Sequence, residues 1–195
     1  DNNKFSEVRT HCFLGKVFVS FWGEKDMDIK STTLPGVFLL QPKIFADHRG
    51  YFCETYSQRQ LAAHGFDYYF VQDNEAFSRD QGVLRGLHFQ LPPMAQTKLV
   101  RVLRGAVYDV VVDLRQGSPT FGHWQGFTLS QDNGLQLLVP QGLAHGYVTT
   151  TPNTLFVYKV DAFYSPEHDA GILCNDPQLN IEWQITQPIL SDKDQ

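Results

Sequence analysis

The sequence predicts an all-β fold, a sandwich or barrel with a few short helices. Three observations predict it. Apolar segments are short, and Gly, Pro, Asn or Asp separates them. No long helical segment alternates with them, which argues against a parallel α/β sheet. Aromatic residues make up 13% of the 195-residue chain, with 15 Phe, which is ample for a core between sheets.

The elements follow in order. GVFLLQPKIF (36–45) reads as a strand, DHRG as a turn, and YFCETY (51–56) as a second strand. SQRQLAAHG (57–65) is the one good helix candidate, with Ser57 to cap it and Gly65 to end it. Strands are then expected in 68–77, 82–89, 98–105, 106–114, 124–130, 135–140, 144–150, 154–164 and 171–176. Met27 opens a stretch that reads like the start of a domain. Residues 1–26 are therefore expected to be an N-terminal extension, and 27–195 a single domain.

Composition narrows function. The net charge of -5 argues against a general nucleic-acid binder, which would present a basic face. No run reaches the roughly 18 apolar residues of a membrane span, and no signal layout is visible at the start. Cys12, Cys53 and Cys174 are odd in number and far apart, which predicts reduced thiols and a cytoplasmic protein.

Several polar residues sit where strands should be apolar. In AVYDVVVDL, strand alternation puts Asp109 and Asp113 on one face with Val107 and Val111. Buried carboxylates need partners or water, so this face is expected to open into a solvated cavity or ligand pocket. His88, in VLRGLHFQ, groups by alternation with Leu84, Gly86 and Gln90. Taken alone, a single buried histidine is more often a packed structural residue than a catalyst, and His145 in GLAHGYV shares the ambiguity. A cupin metal site would place a second histidine two residues after His88, but Gln90 stands there, so no metal is expected. His11, His48, His64, His123 and His168 read as surface residues. Arg49 and Arg85 adjoin glycines and could grip a phosphate in bidentate fashion. No glycine-rich phosphate loop occurs, so a nucleotide would be held by side chains.

RGLHFQ (85–90), DVVVDLR (109–115) followed by SPTFG (118–122), and PQGLAHG (140–146) occur in that order. Together with YKVDAFYSPEHDAGILCNDPQLNIEW and ILSDKD, they resemble the dTDP-4-dehydrorhamnose 3,5-epimerase family of RmlC-like cupins. The resemblance runs from about Ile29 to Asp194. It departs at Thr97, where some members have glycine before the lysine. The resemblance implies a jelly-roll (cupin) sandwich, or double-stranded β-helix, with a few short helices, and a homodimer acting without a cofactor on a dTDP-linked 4-keto-6-deoxy sugar, inverting C3 and C5. It implies His88 as the base, Asp194 as its carboxylate partner, Tyr164 as the acid and Lys98 beside the ketone oxygen. By the same resemblance Arg49, Phe52, Glu54, Gln72 and Asn74 contact the nucleotide, with Phe52 and Glu54 reaching in from the neighbouring subunit. Arg85 would lie near the diphosphate, and His145, Tyr158 and Asp109 would line the pocket. The residues leave other readings open: a single-centre epimerase or ketoisomerase, a non-catalytic sugar-nucleotide-binding module, or a metal-dependent cupin oxygenase.

Overall fold

A computed structural model describes residues 27–195. The expected extension, with His11 and Cys12, lies outside the described residues.

Among the described residues, thirteen strands form two antiparallel sheets and a separate hairpin. The six-stranded sheet runs β1 (Met27–Ser31), β2 (Phe38–Pro42), β10 (Gln136–Val139), β7 (Lys98–Arg104), β12 (Thr154–Val160), β5 (Gln72–Ser78). The five-stranded sheet runs β13 (Asp169–Gly171), β6 (Leu84–Gln90), β11 (Leu143–Thr149), β8 (Ala106–Asp113), β9 (Trp124–Ser130). The hairpin is β3 (Ile44–Asp47) with β4 (Gly50–Cys53). Helix α1 spans Gln58–Ala63, and the Gln60 amide donates to the Ser57 hydroxyl, as the sequence predicts. Among the described residues, no helix is long and apolar enough to cross a membrane.

Alternation along each strand explains the sandwich. Val100, Val102, Val107, Val111, Leu129, Leu137 and Phe156 point between the sheets and form the central core. The opposite faces are covered too. Tyr108, Val110, Val112 and Val148 pack under the C-terminal segment, through Cys174, Trp183, Ile172 and Leu190. Leu40, Leu99 and Leu138 pack under Leu61 of α1 and Phe66. Two-sided burial accounts for strands that read as nearly unbroken apolar runs.

The structure corrects five sequence expectations. Segment 36–45 breaks at Lys43 into β2 and β3. Segment 68–77 becomes strand only from Gln72, and 171–176 contributes only its first residue, to β13. Strand β1 was not expected, because charged Asp28 and Lys30 interleave its two apolar residues as on an exposed edge. The fifth correction concerns β6. His145 pairs with His88 but Tyr147 pairs with Arg85, so β6 holds one extra residue there. The bulge reverses the alternation. Leu84 and Leu87 both face the C-terminal segment, whereas His88 belongs with Arg85 on the inner side, not with Leu84 and Gly86. Glycine is required at the bulge: Gly86 has φ +126°, and a Cβ there would lie 2.5 Å from Gly146 Cα.

Candidate active site

Strand β6 brings His88 into one end of the sandwich, opposite His145 of β11. Lys98 enters from the start of β7, with its inner-facing neighbours Val100 and Val102 behind it. The Thr97 amide donates to Asp161 Oδ1 at 2.6 Å, which fixes the strand start. Asp194 arrives from the far C-terminus on a single 3-10 turn, Asp192–Asp194. A parallel bridge between Val83 and Ile189 anchors the chain just before that turn.

His88 Nε2 donates to Asp194 Oδ1 at 2.6 Å. The carboxylate thus holds the imidazole proton on Nε2 and leaves the Nδ1 lone pair free. Burial lowers the His88 pKa, and Asp194 pulls against that shift. A depressed pKa keeps the ring neutral, the state a base requires. The Lys98 ammonium donates to the His88 carbonyl at 3.2 Å. Burial pushes Lys98 down to about 8, against the attraction of Asp109 and Asp169. A second pair lies behind: His145 Nε2 donates to the Asp109 carboxylate at 2.9 Å, with both side chains buried. Burial raises the Asp109 pKa, and His145 and Lys98 oppose the rise.

A cleft of about 290 Å³ opens beside His88 and Asp194. Asp169 and Lys193 line it, and neither was expected from the sequence. Lys193 donates to Asp169, which also accepts from the Tyr164 hydroxyl at 3.3 Å. Their separation along the chain hides this arrangement from any spacing rule. Tyr164 is 55% exposed. Tyr158 is partly buried on β12 and packs on the central core, where burial raises its pKa and Arg85 opposes the rise. The Gln72 side chain donates to Asn74 at 2.7 Å and accepts from the Tyr164 amide, so Gln72 and Asn74 of β5 join the same end. Arg85 donates to the Phe77 carbonyl at 3.3 Å.

Arg49, Phe52 and Glu54 are not brought to this cleft. The β3–β4 hairpin lies along the six-stranded sheet beside Arg101, Leu103 and Gln136. There Arg49 is spent on Asp47 at 2.5 Å, and Phe52 is exposed. Asp113 also departs from expectation. It is fully buried. Burial would raise its pKa, but hydrogen bonds from Arg115, Ser118 and Thr120 outweigh that and hold it well below the carboxylate range. Asp113 is structural: it locks the DLR and SPT segments together. Among the described residues, no group of three His, Cys, Asp or Glu converges as a metal-binding cluster.

Fold and site together define a jelly-roll sandwich with a carboxylate-backed histidine and a buried lysine at one open end. The family model described as dTDP-4-dehydrorhamnose 3,5-epimerase matches residues 31–195. An epimerase of that name from Shigella flexneri is 48% identical over 86% of this chain and 93% of its own. The crystal structure of the Bacillus anthracis epimerase, with TDP and PPi bound, has a TM-score of 0.85. It is 52% identical over 86% of this chain and 96% of its own. The chain belongs to the dTDP-4-dehydrorhamnose 3,5-epimerase family. Two further structural neighbours bear on substrate. One is the Legionella pneumophila enzyme in complex with dTDP-4-keto-L-rhamnose, 44% identical over 86% of this chain and 89% of its own, TM-score 0.81. The other is ChmJ of Streptomyces bikiniensis, a 3'-monoepimerase, 34% identical over 84% of this chain and 83% of its own, TM-score 0.78.

Proposed function

We propose that this isomerase inverts both C3 and C5 of dTDP-4-dehydro-6-deoxy-D-glucose, giving dTDP-4-dehydro-L-rhamnose, with His88 as the base. The observation that carries the reading is the 2.6 Å His88–Asp194 pair beside buried Lys98. Hydrogens at C3 and C5 are both α to the C4 ketone. Nδ1 of neutral His88 removes one, Asp194 supports the imidazolium that forms, and Lys98 stabilises the developing enolate oxygen. A proton returned from the opposite face inverts the centre. Tyr164 is the proposed donor. Tyr158 is a second candidate, favoured by its burial and its raised pKa, which keep its hydroxyl protonated.

Identity supports double epimerisation over the single-centre alternative: relatives named 3,5-epimerase reach 48–52%, against 34% for the monoepimerase. His88, Lys98 and Asp194 standing together argue against a purely binding role. The reaction is redox-neutral and proceeds by proton transfer, so no cofactor is assigned. Turnover should persist after exhaustive chelation, and rescue of lost turnover by one divalent ion would reinstate a metal. The protein is assigned to the cytoplasm as a homodimer, with the β3–β4 hairpin of each subunit serving the nucleotide in the other; no nucleic-acid or membrane partner is assigned. His88→Ala tests the central claim. Proton NMR in D2O should show deuterium entry at neither carbon, while dTDP still binds. Exchange at either carbon at the wild-type rate would refute it.

A further inference from the structure

The turn that delivers Asp194 begins with a serine at the helix N-cap position. A serine there ordinarily accepts a hydrogen bond from the backbone of the first turn. Ser191 makes no such capping bond. Its hydroxyl instead donates to Asp194 Oδ2 at 2.7 Å. The other oxygen of the same carboxylate takes the His88 bond at 2.6 Å. The Asp194 amide closes the loop by donating to the Ser191 carbonyl at 3.0 Å. Asp194 itself is 8% exposed, so water has little access to substitute for the hydroxyl.

We infer that Ser191 is a positioning residue: its hydroxyl fixes the rotation of the Asp194 carboxylate so that one oxygen faces His88. The inference rests on His88–Asp194 being the base pair. A carboxylate on a single turn can rotate about its last side-chain bond. Two donors on opposite oxygens remove that freedom. The chain reaches Ser191 already fixed, because the Ile189 amide donates to Gly82 and the Ile189 carbonyl accepts from Leu84. On the other side, Lys193 is tied to Asp169. Ser191 is therefore the contact that acts on the carboxylate itself, while its neighbours hold the backbone.

The test is a double-mutant cycle on the full-length chain with dTDP-4-keto-6-deoxyglucose. Ser191→Ala should lower kcat by roughly 10-fold, as for lost outer partners of functional groups, with KM changed less than about 2-fold. Ser191→Thr keeps the hydroxyl and should recover most of kcat. In an Asp194→Ala background, Ser191→Ala should have no further effect, because the group it orients is gone. Full kcat in Ser191→Ala, a threonine variant as impaired as alanine, additive losses, or loss of folding by circular dichroism would each overturn the inference. Full activity in Asp194→Ala alone would instead overturn the base pair on which the inference rests.

Discussion

Two tyrosines compete for the role of proton donor, and their surroundings make them separable. Tyr164 is exposed and shares Asp169 with Lys193, whereas Tyr158 is partly buried among core aromatics. A phenylalanine at either position keeps the ring and removes the proton. The variant lacking the acid should still exchange deuterium through His88, while inverted product falls by roughly 100-fold or more. Measuring exchange and inversion on the same sample decides between them, and inversion at the wild-type rate removes that tyrosine from the mechanism. The pH profile follows from His88 and Lys98. The base must be neutral and its pKa lies below the ordinary 6.5, so activity should hold down past neutrality and fall only in more acidic solution. Lys98 must be charged and loses its proton near 8, so kcat/KM should decline above that pH. Lys98→Met should abolish the alkaline limb and lower kcat by roughly 100-fold or more, the cost of one lost oxyanion partner.

Among the elements, regular strands were legible and interruptions were not. Strand β8 alternates strictly, so the sequence groups Val107 and Val111 with Asp109 on one face, and the structure packs both valines in the central core. Strand β6 misleads because one bulge residue reverses which side each later side chain takes. The C-terminal cover has no period at all: Ile172, Leu179, Ile181 and Trp183 pack from irregular backbone. His88 and Asp194 stand 106 residues apart, and no spacing argument joins them. Their pairing was legible only through family resemblance, as was the role of Lys98. Asp113 shows the opposite error, since a buried carboxylate on a strand suggests a pocket but here ends β8 in a clamp. Asp113→Ala should cost about 3 kcal/mol of stability, because it strands Arg115, Ser118 and Thr120. Its pKa is depressed on folding, so it stabilises above the unfolded carboxylate value near 4. That contribution disappears as pH falls further. Urea titrations at pH 7 and pH 3 should show the wild-type advantage shrinking in acid.

At the scale of the molecule, the isolated subunit leaves part of the expected nucleotide site elsewhere. Arg49 and Phe52 sit on a hairpin that flanks the other sheet, away from the His88 cleft. A dimer that exchanges hairpins gives a direct test by complementation. In the proposed dimer, His88→Ala and Arg49→Ala would each inactivate a different half of every composite site. Mixed under exchanging conditions, half of the dimers are mixed, and each carries one intact site. About a quarter of wild-type activity should return. No recovery, with mixed dimers verified by mass spectrometry, would place Arg49 and His88 in the same subunit's site.

The two catalytic-side strands meet where neither has a side chain. A Cβ on Gly146 would lie 2.8 Å from the Arg85 carbonyl, and one on Gly86 would strike Gly146. The spacing of His88 and His145 is thus set by missing carbon, which selection can read codon by codon. If both codons are saturated and clones are selected for epimerase activity, survivors should encode glycine at 86 and 146, whatever else varies around them. An alanine-bearing clone of wild-type activity would show that the strands can part without moving the histidines.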